Sequence, residues 1–345
     1  MTYLIATLLC AAGVSAILTG LVRGYALRSS MLDLPNERSL HRTPTPRGGG
    51  IAIVLVTLLG LVLLACARAI PSSIAWSIVP GGALVAAVGW LDDRRGVSAR
   101  IRVLVHAVAA LWAVGWIWGG DPAPLAILGW IGIVWAINLY NFMDGIDGLA
   151  AGEAVSVGTI AGVILLASEQ SALATAAFLI AAASVGFLGW NWAPARIFMG
   201  DVGSGFLGYS FATLALLSHH AGAVSLLLWL LVAGVFLFDA TVTLLRRMAR
   251  GERWYQAHRS HAYQRLVQAG TTHGRVTALA LLVNLGLGLL AWLAQSGRLS
   301  IPAATLAGIV ALTVVYLAIE RRRPMYAAGS DPSLPRPGLQ PRDDA

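Results

Sequence analysis

Ser171-Ala-Leu-Ala-Thr-Ala-Ala-Phe-Leu-Ile-Ala-Ala-Ala-Ser-Val-Gly-Phe-Leu-Gly-Trp190 contains no charged side chain and no proline. About 20 such residues in a helix cover the ~30 Å hydrocarbon core of a bilayer. A helix apolar on every side has no face to offer water and belongs in lipid or in a large protein interior. The rest of the chain decides between the two. Comparable windows fall at roughly 2–22, 50–68, 73–91, 101–119 and 124–141, then at 149–168, 203–219, 222–245, 276–296 and 299–319. With 171–190 they make eleven. Lipid leaves no water for stray backbone polar groups, so the spans must be helices or a closed barrel, and runs of this length are helices. The sequence therefore predicts an all-α integral membrane protein, a polytopic bundle of about 11 transmembrane helices.

Composition agrees. The chain has 345 residues, 57% hydrophobic and 12% charged, against about 25% charged in a soluble domain. Mean hydropathy is +0.74. These values exclude a disordered chain, a nucleic-acid-binding module and a secreted disulfide scaffold. The net charge of +8 would suit a nucleic-acid partner, but the placement of the cations argues otherwise. All 24 basic residues are arginine, and with residues 23–49 placed in the cytoplasm, 22 of them fall on that side. Only Arg68 and Arg298 do not. This is the positive-inside pattern. It predicts a periplasmic N-terminus, a cytoplasmic C-terminus and no nucleic-acid partner.

Residues 2–22 lack the basic start of a cleaved signal and read as a retained first span. Cys10 and Cys66 lie in apolar runs without metal-ligand spacing. Residues 1–323 read as one membrane domain. Residues 324–345, rich in Pro, Gly and polar side chains, read as a disordered cytoplasmic tail.

Five polar stretches interrupt the spans, all on the predicted cytoplasmic side. They are 33–50, Leu91-Asp-Asp-Arg-Arg95, Asn138-Leu-Tyr-Asn-Phe-Met-Asp-Gly-Ile-Asp-Gly148, Phe198-Met-Gly-Asp-Val-Gly-Ser-Gly205 and Ala257-His-Arg-Ser-His-Ala-Tyr-Gln264. A carboxylate in the membrane core costs at least about 2.5–3.5 kcal/mol on the insertion scale, so its retention suggests function or a strong partner. Asp92, Asp93, Asp144, Asp147 and Asp201 all stand at inner ends of spans. Five like charges on one face repel unless a cation holds them. Hard oxygen donors favour Mg²⁺, with Mn²⁺ as the alternative. Mg²⁺ takes one or two carboxylates and completes its shell with phosphate oxygens, so a phosphorylated substrate is the natural partner. Asn138 and Asn141 both donate and accept, which suits a nucleobase or sugar. Phe198 offers a ring for stacking. Taken singly, each stretch is also readable as a solvated turn; five on one face are harder to explain that way.

The motifs NxxNxxDGxDGL at 138–149, FMGDxGS at 198–204, LDD at 91–93 and TPTPRGG at 43–49 together resemble the polyprenyl-phosphate N-acetylhexosamine-1-phosphate transferases. The resemblance covers nearly the whole chain before the tail. It implies a bacterial inner-membrane enzyme with a cytoplasmic-face site. Such an enzyme moves HexNAc-1-phosphate from a UDP-HexNAc to undecaprenyl phosphate, releases UMP and depends on Mg²⁺. By resemblance Asp201 is the metal ligand, and Asp92 and Asp93 serve the lipid phosphate and the metal. Asn138, Asn141, Asp144 and Asp147 line the nucleotide-sugar pocket, Phe198 stacks on uracil, and Arg47 contacts substrate. His258, Arg259 and His261 are carried over as diphosphate or sugar contacts.

The His-Arg-Ser-His run is sparser in histidine than the phospho-N-acetylmuramoyl-pentapeptide transferase branch and looks more like the O-antigen-initiating branch. That branch uses UDP-GlcNAc or 6-deoxy relatives such as UDP-FucNAc and UDP-QuiNAc. The pentapeptide branch is the near alternative, and an ion-coupled secondary transporter is the alternative of another class. Transporter acids usually lie at the midplane of repeated, broken helices, whereas these are terminal and one-sided. Assembly is open, with a homodimer as one option.

Overall fold

The computed structural model describes residues 2–35, 40, 41, 43–119, 124–252 and 258–326. The described helices are α1 (Thr2–Arg28), α2 (Ile51–Cys66), α3 (Ser72–Arg95), α4 (Ala99–Trp118), α5 (Pro124–Met143), α6 (Leu149–Ala167) and α7 (Ser171–Asn191). They continue with α8 (Asp201–His220), α9 (Leu226–Val232), α10 (Gly234–Ala249), α11 (Ala262–Gln268), α12 (His273–Gln295) and α13 (Ile301–Arg322). Sheet is confined to the pairing of β1 (Leu32–Asp33) with antiparallel β2 (Thr45–Pro46), Leu32 opposite Pro46. Each expected window is helical, and the protein is an all-α polytopic membrane protein.

Eight helices are long and apolar enough to cross a membrane, or nine if α9 and α10 count as one span. The 16-residue α2 is shorter, about 24 Å at 1.5 Å per residue. α8 opens on Asp201 and carries several hydroxyl side chains, so it falls outside the eight.

One expectation needs correction. The window 222–245 is not a single straight span, because the chain bends by 85° between α9 and α10. Asp239, Thr243 and Arg247 recur every four residues and form one buried polar stripe on α10. Such a stripe cannot lie against lipid. The bend sets it against α11, where Asp239 accepts the peptide N–H groups of Ala262 and Tyr263 at 2.8 and 3.2 Å.

α8 is the central helix. Nearly every side chain from Val202 to Leu216 is buried, packed by α3 and α5 and also touching α2 and α4. α6 packs on α7, and α7 on α1. The N-terminal end of α8 therefore meets the loops after α3, α5 and α7. Cys10 and Cys66 are free and exposed. Residues 327–345, most of the expected tail, lie outside the described residues, as do Arg38, Arg42 and Arg253.

Candidate active site

Asp201 is the first residue of α8, and its position is set by α3. The Asp93 carboxylate accepts the peptide N–H groups of Asp201 at 3.1 Å and Val202 at 3.2 Å. It thus fills the capping role that a helix start leaves open. Two glycines make this approach feasible. Gly200 has φ +77°, and a Cβ there would strike the Asp93 carboxylate. A Cβ on Gly89 would lie 2.5 Å from the Asp201 carbonyl oxygen.

Two arginines hold the acids. Arg102 on α4 donates through one nitrogen to Asp201 Oδ2 at 2.6 Å and Asp92 Oδ2 at 2.7 Å. The other Asp92 oxygen takes the Val97 N–H at 2.5 Å, closing the turn between α3 and α4. Arg47 donates to the main-chain carbonyls of Asp93 and Asp92, and its guanidinium lies 3.5 Å from the Asp93 carboxylate. The Asp93 side chain is 2% exposed and that of Asp201 28%. Asp201 is the more open of the two, and Asp93 is almost wholly covered.

The loop after α5 supplies two further carboxylates in different states. Asp147 accepts the Ala195 N–H at 3.1 Å and lies 3.3 Å from His273 Nδ1. Burial opposes its charge, but the bonds from His273 and Ala195 outweigh it and hold its carboxyl below the usual value. The Asp144 peptide N–H donates to the Asn141 carbonyl, but its carboxyl has no hydrogen bond or ion pair among the described residues. Burial, and next the charges of Asp201, Asp93 and Asp147, push its carboxyl well above the ordinary carboxylate range. Asn191 fastens the surrounding loops, accepting from Gly148 N–H at 3.1 Å and donating to the Ile197 carbonyl at 2.9 Å.

Phe198 is set by the segment that begins at β2. Its N–H donates to Pro46, and its carbonyl accepts from Gly49. Its ring meets His41 edge-on, with centroids 4.9 Å apart. Asp93, Asp201, Asn141, Asp144, Asp147, Phe198 and Arg47 all line one cavity of about 280 Å³. Asp92 joins it indirectly, through Arg102.

Besides Asp92, four expected residues are not on the cavity wall. Asn138 donates back to the Val134 carbonyl one turn away at 2.7 Å, so its amide serves its own helix. His261 is buried 3.6 Å from Asp239 and stacks on Tyr263. His258 packs on His261 with centroids 4.8 Å apart. Burial, and next the charges of His261 and Arg247, push it down to about 3. Arg259 gives its main-chain carbonyl to Gln268. This segment reaches the cavity through Gln264 instead.

Sequence reasoning missed Arg102, His273 and Gln264. Arg102 counted only as one more cytoplasmic arginine. Its signal was its place inside α4, past the Ser98 cap rather than in the loop. His273 opens α12 beside the predicted site face, the same position at a span end that drew attention to the aspartates.

Among the described residues no group of three or more His, Cys, Asp or Glu side chains is placed to hold a metal alone. A cation that completes its shell with substrate phosphates needs only one or two protein carboxylates. The unpartnered Asp144 and the accessible Asp201 form such an oxygen pair, so the donor set fits Mg²⁺. Asp93, with both oxygens receiving N–H groups, fits less well than the sequence predicts.

Glycosyl transferase family 4 is the family whose sequence pattern matches residues 75–219, from α3 to the end of α8. A Bacillus subtilis (strain 168) relative described as "Probable undecaprenyl-phosphate N-acetylglucosaminyl 1-phosphate transferase" is 32% identical over 74% of this chain and 75% of its own. The chain belongs to glycosyl transferase family 4. Within it the chain groups with the polyprenyl-phosphate N-acetylhexosamine-1-phosphate transferases, and the protein is a phosphotransferase. The decaprenyl-phosphate N-acetylglucosaminephosphotransferase of Mycobacterium leprae (strain TN) is 30% identical over 92% of this chain and 91% of its own. A phospho-N-acetylmuramoyl-pentapeptide-transferase of Thermosynechococcus vestitus is 33% identical, but over only 59% of each chain. Membership in this transferase family displaces the transporter reading.

Proposed function

We propose that this family 4 enzyme transfers GlcNAc-1-phosphate from UDP-GlcNAc to undecaprenyl phosphate and releases UMP. The reaction takes place at the cytoplasmic face of the bacterial inner membrane, with the N-terminus outside and the C-terminus inside. It begins a lipid-linked envelope glycan such as O-antigen. The observation that carries this reading is the cavity itself, where unpaired Asp144, accessible Asp201, Arg47 and Phe198 converge. The names of the relatives favour GlcNAc, and the arginine distribution favours the orientation.

The chemistry is one displacement. An oxygen of the lipid phosphate forms a bond to the β-phosphorus of the donor as the bond from that phosphorus to the bridging oxygen breaks. The bridging oxygen leaves with the electron pair, on UMP. Two anions must approach, and phosphoryl transfer depends mainly on positioning and charge stabilisation. Asp201 and Asp144 would hold Mg²⁺, or Mn²⁺ in its place, which screens the phosphate charges when bound. Arg47 and Arg102 add fixed positive charge, and Phe198 takes the uracil ring. Asp93 acts as a positioning residue. Its buried carboxylate, engaged by two peptide N–H groups and Arg47, favours direct attack by the lipid over a carboxylate nucleophile.

Purified protein given undecaprenyl phosphate and a panel of UDP-GlcNAc, UDP-FucNAc, UDP-QuiNAc and UDP-MurNAc-pentapeptide tests the reading. A lipid product with the mass of GlcNAc-diphospho-undecaprenol is expected. A product only from the pentapeptide donor would move the enzyme to the other branch.

A further inference from the structure

A second cavity, of about 340 Å³, opens between α10, α12 and α13. Its walls are apolar, among them Phe238, Val276, Ala280, Val283 and Leu312, and Arg322 lies at its edge. Leu312 and Arg322 are ten residues apart on α13, about 15 Å at 1.5 Å per residue. That is the depth of one leaflet of a ~30 Å core. The slot therefore starts near the membrane midplane and ends at the face that bears the candidate active site.

Among the described residues the charge at that end is unbalanced. Arg246 and Arg265 both bond the single carboxylate of Glu320, at 2.7 and 2.6 Å. Arg265 is 2% exposed, yet its Nε and Nη2 have no hydrogen-bond partner among the described residues. Arg322 is exposed and has no ion pair among the described residues. Tyr316 joins the two zones. Its ring lines the slot, while its hydroxyl accepts from Arg246 at 3.0 Å. Asp239, the acid on the slot wall, directs its carboxylate to Ala262, Tyr263, Thr243 and His261 and makes no ion pair with Arg246, Arg265 or Arg322 among the described residues.

We propose that this slot binds an anionic phospholipid of the leaflet on the active-site side. One acyl chain fills the cavity, and the phosphate meets Arg322 with the surplus charge of Arg246 and Arg265 behind it. Basic pockets between transmembrane helices suit such headgroups. The site adjoins the catalytic loops, since Met143, Leu149 and Tyr263 form part of its wall and the Tyr263 hydroxyl donates to the Phe142 carbonyl at 3.1 Å. A seated lipid would brace the turn that carries Asp144.

Native mass spectrometry of the full-length protein, with phosphatidylglycerol or phosphatidylcholine of matched chains, tests this without reference to turnover. Preferential retention of phosphatidylglycerol is expected. Arg322→Gln should reduce that preference about fivefold, the worth of one arginine at an anionic surface. Ala280→Trp, which fills the slot, should abolish retention; if it does not fold, Arg322→Gln decides alone. Equal retention of both lipids, or an unchanged preference in Arg322→Gln, overturns the proposal. So does displacement of the bound phosphatidylglycerol by undecaprenyl phosphate, which would give the slot to the carrier lipid.

Discussion

Asp93 holds the start of the helix that begins at Asp201, accepting the peptide N–H of Asp201 at 3.1 Å and of Val202 at 3.2 Å. The two acids are 108 residues apart and do different work. Asp93 is spent on backbone and on Arg47, and Asp201 is left facing the cavity. Asp93→Asn keeps one acceptor but turns an amide donor toward a peptide N–H, so it should lower stability by about 1 kcal/mol, a typical cap loss. Turnover should fall, while the Mg²⁺ concentration for half-activity stays unchanged. A large rise in that concentration would make Asp93 a metal ligand after all.

Arg102 places one nitrogen between Asp92 and Asp201. Arg102→Gln leaves both carboxylates unscreened beside Asp93 and Asp144. The expected result is a loss of turnover that Asp92→Asn partly restores in the double variant, with a coupling of about 1–3 kcal/mol. Strictly additive effects in the four-member cycle would show that the contact has no part in the reaction.

Phe198→Ala should raise the KM for the UDP-sugar more than it lowers kcat. Base–aromatic stacking is worth about 1–3 kcal/mol per base, and its loss weakens ground state and transition state alike. An unchanged KM with a collapsed kcat would mean that the ring holds its loop against Pro46 and Gly49 rather than the base.

Asp147 should show its role in the pH dependence of stability. Its folded-state carboxyl lies below the unfolded value of about 3.9. A depressed carboxylate contributes stability above the unfolded pKa and loses it as pH falls through the folded pKa. Asp147→Asn should therefore melt below wild type at neutral pH, and the gap should close as pH drops below about 4. A gap that persists in acid would trace the loss to packing instead.

The spans and the one-sided acids were legible because each leaves a local mark: a run of apolar residues, or a charge at its end. Other features depend on partners far along the chain. Asn138 carries the motif's amide, but nothing local reveals that Val134 claims it. His258 and His261 read as diphosphate or sugar contacts, and nothing local shows that Asp239, on α10, lies 3.6 Å from His261. The bend at Ala233 was hidden because Asp239, Thr243 and Arg247 looked like the end of one span rather than the buried face of a second helix. Arg102 was lost among 24 arginines, since its pairing with Asp201 spans 99 residues.

The most direct test of the account uses UDP-GlcNAc labelled in its β-phosphate, purified protein and undecaprenyl phosphate. The label should pass into lipid, with one unlabelled UMP released for each lipid formed. Without undecaprenyl phosphate, labelled UMP should not exchange into UDP-GlcNAc, and Asp201→Asn should form no labelled lipid. UMP exchange in rigorously delipidated protein, lost in Asp93→Asn, would contradict the direct displacement and make Asp93 a nucleophile.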